Sequence, residues 1–126
     1  MSAAATPRAY RQSAVLSAGP SELVVIQYDG ARRFLRQAAL AMRASEIERA
    51  HRSLRRAETI IAYLDATLDD KLGEIPGQLH AIYGFCLRHL NAARIRQQAG
   101  NLEEVSELLG ELREAWAHLA AEEMSV

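Results

Sequence analysis

Histidine and acidic side chains are the first residues to consider, because they can bind metals or transfer protons. Glu48 and His51 stand three residues apart, the spacing by which di-iron helical bundles present two ligands on one helix face. Such a site needs a second copy of the motif and two further inward-facing glutamates, and the sequence contains no second copy. His51 also falls beside an apolar stripe, among arginines, so we predict that it lies on the surface.

The other histidines and the one cysteine lack any such spacing. His80, His89 and His118 are isolated, and Glu114, one turn before His118, indicates an ordinary helix pair. Cys86 lies on an apolar helical stripe, so we interpret it as a small core residue in preference to a reactive thiol. It has no second cysteine to pair with and fits a reducing compartment. Glycine-rich phosphate loops, nucleophile motifs and paired cysteines are missing from the sequence. We therefore expect no catalytic residue, no metal site and no cofactor, in a protein that is not an enzyme.

Apolar residues recur with helical spacing in several segments. The clearest runs from Ile47 to Leu68, at alternating steps of three and four, which gives a helix one apolar face over about six turns. Such a helix is marginal alone in water, so the segments should pack on one another. Pro20 and Pro76 suit first turns, where a residue's nitrogen has no partner within the helix. We predict an all-α, antiparallel four-helix bundle, with helices at about 20–43, 46–70, 76–99 and 102–122.

The ends of the helices carry their own signals. Ser45 stands three residues before Glu48, the arrangement of a capping box, and Asn101 with Glu104 repeats it before the last helix. Gly100 suits the end of the third helix. These signals predict that the second helix begins directly after Ser45 and that the third runs up to Gly100.

Residues 1–18 are rich in Ala and Ser and show no sustained period, so we predict a flexible N-terminal arm before a single helical domain of residues 19–126. The sizeable apolar side chains of the arm are Tyr10, Val15 and Leu16, and the sequence leaves open whether they dock on the bundle. The arm lacks the apolar centre of a secretory signal, and no apolar run reaches about 18 residues. We expect a soluble, cytoplasmic protein with no membrane insertion.

The charges are unevenly placed. A net charge of −1 argues against a general nucleic-acid binder, but arginines dominate the first half of the chain and glutamates its end. Arg52, Arg55 and Arg56 would suit an acidic partner, although a solvated basic face explains them more simply. We expect the basic and acidic faces to neutralise one another across the bundle.

The first three helices carry more apolar residues than one bundle face requires. The extra residues form one pair on each helix: Ile26 and Phe34, Ile60 and Tyr63, Ile82 and Phe85. They either widen the core or line grooves that receive an amphipathic helix from a partner, and both interpretations stay open. Gly30, in the middle of the first helix, fits a position where a bulky side chain or another backbone packs closely.

Short segments along the chain resemble the flagellar secretion chaperones of the FliS type. In order, they are Tyr10, Gly19 to Leu23, Tyr28 to Ala31, Arg33 to Leu35, Gly73 to Ile75, Leu79 to Tyr83, Arg88 to Leu90 and Leu112 to Trp116. The resemblance covers residues 8–120 with the spacing of the family. It departs at Gln27, where an apolar residue is usual, and at Pro76, where a small residue is usual. Neither departure disturbs the expected fold.

The resemblance implies a chaperone of the bacterial cytosol that binds the disordered C-terminal region of flagellin. It would prevent premature polymerisation and support secretion by the flagellar type III export apparatus. Family members are antiparallel helical bundles that this region wraps. The paired apolar residues would form the flagellin-binding groove, and Tyr10, Val15 and Leu16 would cover part of it until flagellin displaces them.

Two questions of partnership stay open at this point. Contact with the flagellar export gate is known for the family, but this sequence carries no readable signal for it. The alternative function, from the residues alone, is a self-associating helical bundle with a structural or adaptor role and no flagellin client. The sequence does not decide whether the free protein is a homodimer.

Overall fold

A computed structural model describes residues 20–68 and 74–124 of the chain. Within these ranges the elements are α1 (Pro20–Arg43), α2 (Ile47–Ala66), α3 (Ile75–Arg96) and α4 (Ala99–Met124). Helix α1 packs on α2 and α4, and α3 packs on the same two helices, so α1 and α3 lie on one diagonal of a bundle and α2 and α4 on the other. The predicted all-α four-helix bundle is confirmed. The predicted arm, and the last residues predicted for the second helix, lie outside the described residues.

Ion pairs between neighbouring helices show that the neighbours are antiparallel. Arg43 at the end of α1 pairs with Glu103 near the start of α4, with 2.5 Å between nitrogen and oxygen. Between α2 and α3, Glu58 pairs with Arg94, whereas Asp65, further along α2, contacts His80, which lies earlier on α3. In the described part of the chain, no helix is long and apolar enough to cross a lipid bilayer.

The core consists of one apolar face from each helix, as the spacing predicts. Its largest buried side chains are Tyr28, Leu35, Leu54, Ile61, Tyr83, Leu90, Leu102, Val105 and Leu109. The close packing stops short of the ends of the predicted stripes, because Ile47 and Leu119 are 59% and 41% exposed. The apolar faces are therefore longer than the core that they bury.

Both predicted proline positions and the predicted close contact at Gly30 are confirmed. Pro20 is the first residue of α1, and Pro76 lies in the first turn of α3. A Cβ atom built at Gly30 would lie 3.5 Å from Cδ1 of Ile60, so the side chain of Ile60 packs directly on the glycine. This contact brings α1 and α2 close together.

The turn between α1 and α2 differs from the predicted capping box. Ser45 has a φ of 60°; its amide donates to the Met42 carbonyl at 3.1 Å, and the Glu46 amide donates to the Ala41 carbonyl at 2.9 Å. These two bonds form a Schellman motif, which closes α1. Glu46 is the N-cap of α2 and makes no side-chain cap bond. The capping box predicted from Ser45 and Glu48 is therefore wrong, because Ser45 ends one helix instead of starting the next.

The connection between α3 and α4 is also earlier than predicted. Gln97 takes a left-handed φ of 54°, and the amides of Gln97 and Gln98 both donate to the carbonyl of Ala93. Helix α4 has already begun at Gly100 and Asn101, and the Asn101 side chain donates to Gln98 at 3.2 Å. The predicted helix end at Gly100 and the capping box at Asn101 are both wrong, because a left-handed glutamine closes α3.

The basic and acidic faces neutralise each other only in part. Arg43 reaches Glu103, but the exposed arginines of α2 lie on the diagonal opposite α4 and its glutamates. A further ion pair between α1 and α4 has the opposite polarity, since Arg113 of α4 binds Asp29 of α1 at 2.9 Å. The predicted mutual neutralisation is therefore wrong for α2.

Candidate functional site

An apolar cavity opens at the end of the bundle where α1 and α3 begin and α2 and α4 end. Its volume is about 430 Å³, and we call it the end cavity. All four helices contribute to its wall, which includes Val24, Leu68, Ile75, Leu79, Trp116 and Leu119. Such a wall binds large apolar side chains, each of which gains about 1.5–3 kcal/mol when it is fully buried.

The mouth of the end cavity is apolar, and its polar groups are engaged. Ile75 is 64% exposed at the mouth. Ser21 donates a 2.6 Å hydrogen bond to Glu123, which ties the start of α1 to the end of α4. Tyr83 reaches the cavity wall, while its hydroxyl is hydrogen-bonded to that of Tyr28. The described wall of the cavity thus offers apolar contact area, and the hydroxyls of Ser21 and Tyr83 are engaged in hydrogen bonds.

The apolar stripe of each helix runs into the end cavity. Val24 and Leu79 are early members of their stripes, whereas Leu68, Trp116 and Leu119 are late members. An antiparallel bundle brings these stripe ends to the same end of the molecule. Side chains there have helix neighbours on one side only, so they line a cavity. The sequence therefore contained a signal for the end cavity, namely apolar stripes that are longer than the packed core.

Four of the predicted groove residues lie on α1 and α2. Phe34 and Ile60 line one depression between these helices, with a volume of about 440 Å³. Ile26 is half-buried and precedes Phe34 by eight residues, so it lies on the same side of α1. Tyr63, three residues after Ile60, is 56% exposed.

The remaining pair lies on α3, beside α4. Phe85 is 48% exposed, and its ring stacks on His89 with 5.3 Å between centroids. His89 is in turn within 2.8 Å of Glu104 on α4. Ile82 lies one turn before Phe85 and packs against the core.

The six predicted groove residues therefore do not form one groove, and none of them lines the end cavity. Their role in binding flagellin stays a prediction, and so does that of Tyr10, Val15 and Leu16, which lie outside the described residues.

The side chains considered for metal binding lie apart from one another. Glu48 and His51 share a shallow depression of about 280 Å³ with two arginines. Among the residues that the structure describes, no three His, Cys, Asp or Glu side chains come together as a metal site would require. His118 is 3.5 Å from Glu122, whereas Glu114 pairs with the neighbouring arginine. The predicted pairing of His118 with Glu114 is therefore wrong, because the partner lies one turn later.

Cys86 lies in the core, as predicted. The residue is fully buried, and this burial raises the pKa of its thiol from 9.0 to about 11. A protonated, inaccessible thiol is a poor nucleophile, so its contribution is packing.

Comparison with known proteins supports the family resemblance. The family profile described as "Flagellar protein FliS" matches residues 2–123. A protein named flagellar secretion chaperone FliS from Bacillus subtilis is 35% identical over 108 residues, which are 86% of this chain and 80% of that relative. Relatives of the same name from Salmonella typhimurium and Escherichia coli are 36% and 34% identical, over 86% and 92% of this chain and 82% and 90% of their own lengths. The chain therefore belongs to the FliS family.

Proposed function

We propose that this protein is a flagellar export chaperone that binds the disordered C-terminal region of flagellin in the bacterial cytosol. It prevents premature polymerisation and supports export by the flagellar type III apparatus, and it acts as a binding protein, without a cofactor or a catalytic step. The names of its relatives support the chaperone role. The observation that carries the proposal is the end cavity, an apolar site built from all four helices.

The binding energy comes from apolar contact. A disordered segment that becomes helical on binding loses conformational entropy, at a cost of about 2–5 kcal/mol or more. Two or three large side chains that enter the end cavity offset this cost, at about 1.5–3 kcal/mol each. A client bound in this way has its amphipathic surface covered and cannot pack into a filament.

Contacts beyond the end cavity extend the client site. Tyr63 on α2 and Phe85 on α3 are the most exposed of the predicted groove residues, so a client can reach both without disturbing the core. The N-terminal arm is joined to the bundle at this cavity, because Pro20, the first residue of α1, lines it. Leu16 is four residues before Pro20, and four extended residues span at most about 14 Å, so the chain is long enough for Leu16 to reach the cavity. We therefore propose that Leu16, with Val15 and Tyr10, occupies the client site until flagellin displaces it.

Calorimetric titration with the C-terminal segment of flagellin from the same organism tests the proposal, with the N-terminal segment as control. We expect binding of the C-terminal segment only, with a negative heat-capacity change from apolar burial. Leu119→Asp should abolish it, because a carboxylate would stand at the wall of the end cavity. Ile95→Asp, at an exposed position of α3 outside the cavity wall, should retain it. Binding of neither segment, or equal loss in both variants, would contradict the proposal.

The alternative, a self-associating bundle without a client, makes a different prediction. It requires exposed apolar side chains to be covered by a second copy, so a dimer should persist on dilution. Sedimentation velocity over a range of protein concentrations distinguishes the two. A monomer that binds the flagellin segment would support the chaperone function. A stable dimer that does not bind the segment would support the alternative.

A further inference from the structure

The outward face of α2 carries a row of four arginines, three of which have no acidic partner among the described residues. Arg49, Arg52, Arg55 and Arg56 are all exposed. Arg49 lies 3.5 Å from a glutamate one turn earlier. Among the described residues, no carboxylate lies within ion-pair distance of Arg52, Arg55 or Arg56. The fold therefore leaves a positive surface here, since the glutamates of α4 lie across the bundle.

The same surface has an apolar floor. Arg52, Arg55 and Arg56 surround the depression of about 440 Å³ whose floor includes Phe34 and Ile60. The guanidinium of Arg56 lies 5.6 Å from the centroid of the Phe34 ring, so its stem follows the apolar surface. We call this surface, with its arginines, the arginine groove. It differs from the end cavity, with which it shares no lining residue.

A second depression extends the arginine groove along α2. It has a volume of about 280 Å³ and shares Arg52 and Arg55 with the first depression. Its other lining residues are Glu48, His51 and the exposed Ile47, so this end of the groove holds one carboxylate beside its arginines. Ile47 and Ile60 are 13 residues apart, which corresponds to about 20 Å along a helix. The groove is therefore long enough for three to four turns of a bound helix.

We propose that the arginine groove binds an acidic amphipathic helix of a partner protein other than the flagellin client. Apolar side chains of that helix enter the depression at Phe34 and Ile60, and its Asp or Glu side chains pair with the arginines. Guanidinium groups suit this role because they are weakly hydrated and bind carboxylates through two parallel hydrogen bonds. The proposal gives Phe34 and Ile60 a different occupant from the one that the family resemblance implied.

Two other occupants fit the surface less well. A second copy would have to offer the acidic end of α4, where Leu119 and Met124 are exposed beside Glu122 and Glu123. Leu119 already lines the end cavity and Glu123 accepts the hydrogen bond from Ser21, so this end of α4 is engaged within its own bundle. A nucleic acid would be repelled by the rest of the molecule, because the whole chain has a net charge of −1 even with the arginines of the groove included. An acidic helix satisfies both the charge and the apolar floor.

The test uses three synthetic helical peptides and the full-length protein. The first peptide has leucines at helical spacing with glutamates elsewhere, the second has lysines in place of the glutamates, and the third has serines in place of the leucines. Fluorescence anisotropy at physiological salt should show binding of the first peptide only. Equal binding of the first and third peptides, or of a single-stranded oligonucleotide, would overturn the proposal, because the site would then select charge alone.

Charge-reversal variants locate the site. The double variant Arg52→Glu and Arg55→Glu should weaken binding of the leucine–glutamate peptide by about a hundredfold, close to 2.7 kcal/mol. The matched double variant Arg88→Glu and Arg96→Glu changes two exposed arginines on α3 and should leave the affinity unchanged. Circular dichroism checks that both variants fold. Equal weakening in the two variants would overturn the assignment to the groove.

Two further experiments distinguish this partner from the flagellin client and from a second copy of the chain. The peptide should bind with unchanged affinity after saturation with the flagellin segment, and competition would overturn the claim of a separate partner. Salt-sensitive self-association that the Arg52→Glu and Arg55→Glu variant abolishes would assign the groove to a second copy instead. The peptide titration on the free chain needs no flagellin, so it is informative even if the proposed client does not bind.

Discussion

The hydroxyl groups of Tyr28 on α1 and Tyr83 on α3 lie 2.5 Å apart and join two helices that face each other diagonally across the bundle. Both side chains are almost completely buried. Burial raises the pKa of Tyr28, while hydrogen bonds from Tyr83 and Trp116 act in the opposite direction. Burial also raises the pKa of Tyr83, and its bond to Tyr28 adds to that effect. Since Tyr83 also lines the end cavity, this polar pair holds one wall of the cavity in place.

Removal of one hydroxyl should destabilise the bundle. Tyr83→Phe takes a hydrogen-bond partner from a buried phenol, which costs about 1–3 kcal/mol in the free energy of unfolding. The double variant Tyr28→Phe and Tyr83→Phe should cost less than the sum of the single variants, because no buried hydroxyl is left unpaired. Urea denaturation measures all three, with Tyr63→Phe at an exposed position as the control. Strict additivity would show that the hydroxyls do not interact.

The same pair predicts a loss of stability in alkali. In the unfolded chain both tyrosines ionise near their ordinary pKa of 10.0, whereas the folded protein holds both protons to higher pH. The stabilisation is therefore complete below about pH 10 and declines as pH rises above it. Denaturation between pH 8 and pH 12 should show this decline. The double phenylalanine variant should show a shallower one, and identical slopes would contradict the assignment.

The thiol of Cys86 should be protected by the fold. It is buried in the core, and its pKa of about 11 keeps it protonated at neutral pH. A thiol reagent such as Ellman's reagent should therefore modify the native protein only as fast as the bundle opens. In urea the one cysteine should react at once. Rapid modification of the native protein, with helicity unchanged, would show that the core around Cys86 is open.

The sequence predicted the elements well and their junctions poorly. A repeat such as that from Ile47 to Leu68 depends on one helix face being buried, so it survives small changes at the ends. The ends were decided by backbone geometry at Ser45 and Gln97, two left-handed residues that are not glycine. Propensity alone would have placed a glycine or asparagine there. The end cavity was missed for a related reason, because periodicity shows which face is apolar but not where the packing stops.

Two glycines in helices should respond differently to the same substitution. Gly30→Ala places a methyl group at ordinary contact distance from Ile60, so the gain in helix propensity, about 1 kcal/mol, should appear as added stability. Gly110→Ala would bring the methyl group to 2.9 Å from the guanidinium carbon of Arg32. The guanidinium would have to move and lose its 3.0 Å hydrogen bond to the Ser106 carbonyl, which offsets the gain. Thermal unfolding should therefore rank Gly30→Ala above the wild type and Gly110→Ala close to it. The reverse order would show that the contact at Gly30 is tighter than the structure indicates.

Trp116 should report directly on what occupies the end cavity. It is the one tryptophan of the chain, and it lines the cavity wall. If the arm covers the cavity, deletion of residues 1–17 should expose the indole to water and shift its emission to longer wavelength. A flagellin C-terminal segment without tryptophan should then shift the emission back and bind the truncated protein more tightly, because no arm has to be displaced. The variant Leu119→Asp should abolish the return shift, whereas Ile95→Asp should preserve it. Identical emission and identical client affinity in the truncated and full-length proteins would show that the arm does not reach the cavity.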